Sequence, residues 1–484
     1  MKFIKIKMIS AFSLLLIQIF NSCTYAQITF EKTIGGAQKD YGYDVIITED
    51  GGFLICGLTY SYGAGENDCY LVKTDNYGEV QWEKTYGGAS YEYALKVKET
   101  NDGGYLLGGT TLTYGEGSND YYLIKTDNNG NSQWEKTYGG WNVDVLNDME
   151  QTSDGGYILI GKSQSFTNFS SCVYMIKTDQ NGDTLFTKKY GGPDLNWGLS
   201  IEITNDNGYI ICGKTSSFGA GGQDVYLIRT NESGDTLWTK TYGGDTDDWG
   251  NDIIITDDNG FVIAGTTNYD WIDENGDVYV LKTDPEGIIE WEKTYSYTQY
   301  EFANRIIKTS DNGFMLVGAT NSFGAGEYDL YFLKTDANGD TLWTKTYGYS
   351  DREIGYSVKQ PDSGGYILTG YTNSIGNGDY DIYLIKTDED GNVQNIMDPV
   401  ITDNTINLEI YPNPCNDYIN IKINNPDNIK ELFLEILNIN GQVIYRNEFH
   451  DTQEEIDMSG FSKGVYTVKV IGENYILNKK MIVY

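Results

Sequence analysis

Lys73–Gly88, KTDNYGEVQWEKTYGG, returns along the chain at a nearly constant interval. The landmark before its terminal glycine pair, or the equivalent position, is Ile34, Tyr86, Tyr138, Tyr190, Tyr242, Tyr295 and Tyr347. Successive spacings are 52, 52, 52, 52, 53 and 52 residues. A repeat of this length is a supersecondary unit that cannot bury its apolar face alone, so it must stack on copies of itself.

Outward from this stretch, each repeat reads as four strands. DVIITEDGGFLICGLT, Asp44–Thr59, gives two strands joined at an Asp-Gly-Gly turn, where glycine meets the positive φ of a hairpin. A longer polar segment, SYGAGEND, follows; then come DCYLVKTD, a second tight turn at DNYG, and EVQWEKTYGG. Each fourth strand carries one aromatic: Phe30, Trp82, Trp134, Phe186, Trp238, Trp291 or Trp343. Packed against a neighbouring repeat, each should contribute about 3 kcal/mol.

Four-stranded antiparallel units at this period resemble the blades of a β-propeller. The two ends complement each other. ITFEKTIGG, residues 28–36, is a fourth strand with no first three before it, while the seventh repeat loses its pattern after LIKTDEDGNVQ, with Asn395 where a Trp is expected. Residues 28–34 should therefore complete the seventh blade beside the strand ending near Thr387, closing the ring and removing two sheet edges. The fold class expected is all-β: a seven-bladed β-propeller over residues 27–398, followed by a small C-terminal β-sandwich over 399–484. Tight turns gather on one face and longer segments on the other, so a binding surface is expected on the second.

Composition agrees with a folded, strand-rich exported protein. The 484 residues include 57 Gly and only 7 Pro, and 14% are aromatic, which argues for short strands and tight turns rather than disorder. A net charge of −36 with no basic patch disfavours nucleic acid and anionic lipid as partners. Lys2, Lys5 and Lys7, the apolar run Ile9–Phe20 and the small-x-small Thr24-Tyr25-Ala26 read as a signal peptide over residues 1–26. Cys23 offers a lipoprotein alternative. No other stretch is long enough to span a bilayer. Cys56, Cys69, Cys172, Cys212 and Cys415 have neither disulfide-framework nor metal-ligand spacing and read as buried free thiols.

Seven residues after each landmark, where the chain enters the innermost strand, stand Tyr41, Tyr93, Val145, Trp197, Trp249, Phe302 and Ile354. Immediately before them stand Asp40, Glu92, Asp144, Asn196, Asp248, Glu301 and Glu353. Repetition would set these as rings around the axis. Tyr41, Tyr93, Trp197, Trp249 and Phe302 form the expected contact ring, with the acids as hydrogen-bond partners, an arrangement suited to carbohydrate. A cation held by converging oxygens is a second candidate, and residues that serve the blade are a third. A second acid series, Asp68, Asp120, Asp224, Asp277, Asp329 and Asp381, precedes the third strand and is expected to bond loop backbone.

Catalytic signals are sparse. The one His, His450, lies outside the repeats, which excludes His-based triads there. No cofactor motif is present, and no cofactor is expected. Acids are plentiful enough for a carboxylate-dependent glycan-cleaving enzyme, the alternative to a noncatalytic module binding glycan or extracellular protein.

From about Ile401 the period stops. YPNP at Tyr411–Pro414, the LNINGQVIY hairpin, IDMSGFSKGVY and the basic-apolar tail resemble the type A C-terminal sorting domain carried by cargo of the Bacteroidetes type IX secretion system. The resemblance covers residues 405–484. It implies recognition by the type IX machinery, passage across the outer membrane, and release or attachment at the cell surface. It names a destination and leaves the activity of the repeats open.

Overall fold

The structure, a computed structural model, describes residues 28–167, 170–270, 275–393, 407–415, 417–424, 432–437, 443–449, 453–471 and 476–483. The expected signal peptide, Asn395 and His450 lie outside the described residues.

Phe30–Thr387 forms seven four-stranded antiparallel sheets. The chain enters through β1 (Phe30–Ile34) and builds its first whole sheet from β2 (Asp40–Ile47), β3 (Phe53–Thr59), β4 (Asp68–Thr74) and β5 (Val80–Tyr86), paired in chain order. The first strands of successive sheets neighbour one another all the way round, from β2 to Glu353–Lys359 and back, so they surround the axis of a seven-bladed propeller. β3 and β4 are buried along their whole length, as strands covered on both faces must be, whereas β5 at the rim alternates between half-buried and exposed residues. β1 pairs antiparallel with Asp381–Thr387, Phe30 opposite Lys386 and Ile34 opposite Ile382. The ring closes as the complementary ends require.

The recurring stretch proves to be the clip between blades. Trp82 lies against Gly130 in the next blade's outer turn, where an added Cβ would stand 2.8 Å from the indole and where φ is +73°. Tyr86 Oη donates to the carbonyl of the same glycine, and Lys84 reaches Asn131 Oδ1 at 3.2 Å. Trp134 and Tyr138 grip Gly182 in the same way, and Trp343 and Tyr347 grip Gly391. Across the closure Phe30 rests on Gly78. Period and fold therefore have one cause: each repeat supplies a ring to the following turn, and six of the seven add a tyrosine hydroxyl, Ile34 holding that place at the closure. The five cysteines in the described residues are free and buried.

Beyond the propeller, Asn407–Tyr411, Tyr418–Asn424 and Gln453–Asp457 form a three-stranded sheet, and Leu432–Leu437, Val443–Phe449, Gly464–Ile471 and Ile476–Val483 a four-stranded one. One core that includes Ile419, Ile421, Leu434, Ile436, Val468 and Met481 joins them, which makes this part a small β-sandwich.

Candidate functional site

Every inner strand carries a β-bulge at the same place, between Gly42 and Asp44 in β2 and at the equivalent step in the other six. Each bulge is accommodated by a glycine on the second strand. A Cβ on Gly57 would meet the Tyr41 carbonyl oxygen at 1.7 Å, and one on Gly213 would meet that of Trp197 at 1.9 Å. The extra residue per strand turns toward the axis. Tyr43, Leu95, Asn147, Leu199, Asn251, Asn304 and Tyr356, one from each blade, line a cavity of about 530 Å³. Asn147 Nδ2 donates to Gly198 O at 2.7 Å, Asn251 to Ala303 O at 2.8 Å and Asn304 to Gly355 O at 2.8 Å. Three amides thus bridge neighbouring inner strands, with their Oδ1 atoms left as acceptors at the cavity wall.

The residue after each bulge forms a deeper belt: Asp44, Lys96, Asp148, Ser200, Asp252, Arg305 and Ser357. The three carboxylates are stapled to the next blade by its backbone. Val97 N donates to Asp44 at 3.2 Å, Ile201 N to Asp148 at 3.0 Å and Ile306 N to Asp252 at 2.9 Å. Ser200 Oγ contacts both Asp148 and Asp252, Ser357 Oγ donates to Asp44 at 2.6 Å, and Arg305 Nε lies 3.5 Å from Asp252. Burial opposes charge on Asp44, yet Arg305, Lys359 and Lys96 hold its carboxyl down to about 2. Burial also works against the Arg305 guanidinium, and Asp252, Asp44 and Asp148 raise its pKa instead.

One step further along the axis, Lys98 pairs with Glu150. Glu202, on the neighbouring blade, is pushed up to about 8 by burial and by Glu150. Across the lumen, burial and Arg305 bring Lys359 down to about 8. Asp44, Asp148, Asp252, Glu150 and Glu202 face Lys96, Lys98, Arg305 and Lys359, so the lumen is balanced when Glu202 holds a proton. A carboxyl whose folded pKa is raised contributes stability below its unfolded value of about 4.5 and loses it as pH climbs to about 8. Glu202→Gln should therefore melt with the parent near pH 4.5 and be the more stable of the two near pH 8, by up to about 4 kcal/mol. Thermal melts across that range check this, and parallel curves would remove the assignment.

The residues expected from the sequence fall into two groups. Asp40, Glu92, Asp144, Asp248, Glu301 and Glu353 are fully buried and engaged with the protein's own donors. Gly36 N donates to Asp40, Gly88 N to Glu92, Gly140 N to Asp144, Gly244 N to Asp248 and Tyr349 N to Glu353, each four residues back along the entering loop. Threonine hydroxyls fill further lone pairs, Thr111 on Glu92, Thr320 on Glu301 and Thr372 on Glu353. This departs from a hydrogen-bonding rim: the carboxylates shape the loops. Asn196 does the same work with an amide, accepting from Thr215 and donating to Ser171 O. Most of the second acid series binds loop backbone as expected, with Ala64 N on Asp68 at 2.7 Å and Glu116 N on Asp120 at 2.8 Å, whereas Asp277 accepts from Asn268 Nδ2 at 3.1 Å. Among the described residues no group of three or more His, Cys, Asp or Glu could hold a metal ion.

The aromatics stand half-buried at the long-loop end of the inner strands. Of the five, Tyr93 lines the cavity. Tyr41 packs on Tyr371 and Tyr380, with centroids 4.9 and 5.3 Å away. Trp249 meets Tyr269 at 5.0 Å, Tyr269 meets Tyr300 at 5.1 Å, and Tyr300 meets Phe302 at 5.2 Å, so Trp249 and Phe302 belong to one aromatic run. Trp197 donates through Nε1 to Ser171 Oγ at 3.1 Å, and two ammonium groups lie over its ring. Sequence reading missed Lys162, Lys214 and the whole bulge set. The signal for the lysines was a break in the repeat, since their equivalents are Leu58, Thr110, Thr266, Ala319 and Tyr371.

Residues 409–484 match the family described as the secretion system C-terminal sorting domain. The chain carries a type IX sorting domain. It is therefore cargo sent to the cell surface or the extracellular space, with a propeller ahead of its sorting domain. No curated protein sequence matches the chain. Among solved structures it is similar to PorZ, a surface component of the type IX system of Porphyromonas gingivalis, at 13% identity and a TM-score of 0.43, over 93% of this chain and 60% of that one. It is also similar to the extracellular domain of a hybrid two-component system from B. thetaiotaomicron, at 12% identity and a TM-score of 0.45, over 94% and 59%. The WD40 domain of Neurospora crassa Pan2 is similar at 10% identity and a TM-score of 0.42, over 75% and 96%. The chain thus spans about 60% of the length of the first two.

Proposed function

We propose that the propeller is a noncatalytic binding module that takes a glycan or an extracellular protein at the long-loop mouth of its lumen. The observation that carries this reading is the cavity of about 530 Å³, walled by tyrosines, leucines and bridging asparagines. Its size and its mixture of apolar surface with few polar groups suit a small-molecule or oligosaccharide unit. Tyr41, Tyr93, Trp197, Trp249 and Phe302 form the rim above it in this reading, and the buried acids hold the loops that carry the rim.

The test is a glycan array probed with the secreted chain, beside Trp249→Ala and Tyr93→Ala. Loss of binding at an unchanged melting temperature supports the module. Failure of every glycan and every candidate surface protein to bind removes it. A second reading, a glycan-cleaving enzyme, is favoured by Glu202, whose raised pKa beside the ion-paired Glu150 is the disposition an acid and its partner carboxylate need. Hydrolysis of an arrayed glycan that Glu202→Gln abolishes would move the assignment there.

Export has a separate test. A chain ending at residue 398 should keep crossing the inner membrane yet lose surface exposure and release, read by immunoblotting of medium and by protease accessibility on whole cells.

A further inference from the structure

Two lysines break the sevenfold pattern side by side. Lys162 and Lys214 occupy equivalent places on the second strands of the third and fourth blades, opposite Val145 and Trp197. Lys162 Nζ lies 3.8 Å from the Trp197 ring centroid. Lys214 Nζ lies 4.3 Å from Trp197 and 4.0 Å from Trp249, so cations and indoles run in one line across two blade junctions. Lys214 is only 8% exposed. Neither lysine forms an ion pair or a hydrogen bond with any described residue, whereas Lys73, Lys125, Lys177 and Lys334 on third strands each meet a carboxylate.

Burying an ammonium group without a carboxylate is costly, and indole faces repay only part of that. Burial accordingly lowers the pKa of both groups. For Lys214 it does so to about 8, with Asp247 opposing and Lys162 adding to the shift. Asp247 tempers the shift on Lys214 from beyond ion-pair distance, while its own oxygens accept from the backbone and side chain of Gln223 at 2.7 and 3.4 Å. The pair stands at the edge of the lumen: Val145, cross-strand partner of Lys162, lines the cavity, and so does Leu199, two residues beyond Trp197.

We propose that Lys162, Trp197, Lys214 and Trp249 form an oxyanion subsite that holds the carboxylate or sulfate of an acidic saccharide whose ring enters the adjoining cavity. This rests on the binding-module reading and specifies its ligand class. Two ammonium groups sharing one indole supply donors for an oxyanion and lose their mutual repulsion when it arrives. Asn147, Asn251 and Asn304 keep Oδ1 acceptors on the cavity wall, which match sugar hydroxyl donors. The net charge of −36 does not preclude this, because a charge more than about 10 Å away is screened at 0.1 M salt. That same charge favours a short acidic saccharide over a long polyanion.

Titration calorimetry with the secreted chain tests the assignment, using trigalacturonate, its methyl ester and a sulfated neutral trisaccharide as probes. Trigalacturonate or the sulfated sugar should bind, the methyl ester should bind at least about tenfold more weakly, and Lys162→Gln and Lys214→Gln should each cost about tenfold or more. Which anion binds more tightly identifies the natural group. Lys214→Arg should retain binding, and melting temperatures of all variants control for folding. Equal affinity for ester and acid would overturn the subsite while leaving a glycan-binding module. Binding of a glutamate-rich peptide but of no saccharide would overturn the ligand class. Absence of binding to any probe or arrayed glycan would overturn the glycan reading itself.

Discussion

A chain lacking residues 28–34 should fold less stably by about 3–5 kcal/mol and melt less cooperatively. β1 supplies the outer strand of the seventh sheet, buries Ile34, and carries Glu31, which accepts from Tyr383 Oη at 3.0 Å. Its loss exposes the edge of Asp381–Thr387 and removes Phe30 from Gly78 in the next blade, so one sheet and one blade junction weaken together. A synthetic peptide of residues 28–36 added in trans should restore part of the loss, because it brings the whole β1 ladder and the Phe30 ring, less the entropy of association. An unchanged melting curve would show that the ring does not depend on this strand for closure.

The second large effect belongs to the charged belt. Asp252→Ala should destabilise the propeller by about 3–5 kcal/mol, the typical result of orphaning a buried charge. It strips Ile306 N of its acceptor, leaves Ser200 Oγ with Asp148 alone, and leaves Arg305 without the carboxylate it pairs with. Asp252→Asn keeps an acceptor for Ile306 N and loses only the charge, so its cost should be about half as large. Urea titrations of the two variants separate the terms, and a loss below about 1 kcal/mol for Asp252→Ala would mean that the lumen charges are solvated rather than mutually dependent.

Much of the architecture could be read in advance because its causes are local and repeated. The Trp82-to-Gly130 contact and the Tyr86 hydroxyl recur at a fixed offset, so the motif that marks the period is also the joint between blades. The closure at Ile34 opposite Ile382 followed from which strands each end lacked. The lumen was harder. Two-residue alternation places Tyr43 on the face of Tyr41, but the bulge at Gly42/Asp44 then shifts the alternation, so that Asp44 and Val45 are both buried and the inward series cannot be extended by counting. Nothing in a single strand announces a bulge. Its trace is Gly57 on the partner strand, which reads equally well as a small core residue. The acids misled for a related reason: Glu92 and its equivalents recur because each entering loop needs an acceptor for its own backbone, which has the same periodicity as a ligand ring would.

That bulge has a consequence for how such a protein can change. The residue it presents lines the lumen, while the residue before it packs into the core between sheets, as Ala94 and Leu146 do, and the residue after it belongs to the belt. Of these seven positions, Tyr43, Leu95, Leu199 and Tyr356 can therefore be exchanged with little effect on the contacts between blades, whereas Asn147, Asn251 and Asn304 also bridge neighbouring inner strands. Their present content, two tyrosines, two leucines and three asparagines, already differs from blade to blade around a framework that hardly varies. The lumen is a variable lining set into a uniform housing, so its chemistry can shift by single substitutions while the joints between blades stay as they are.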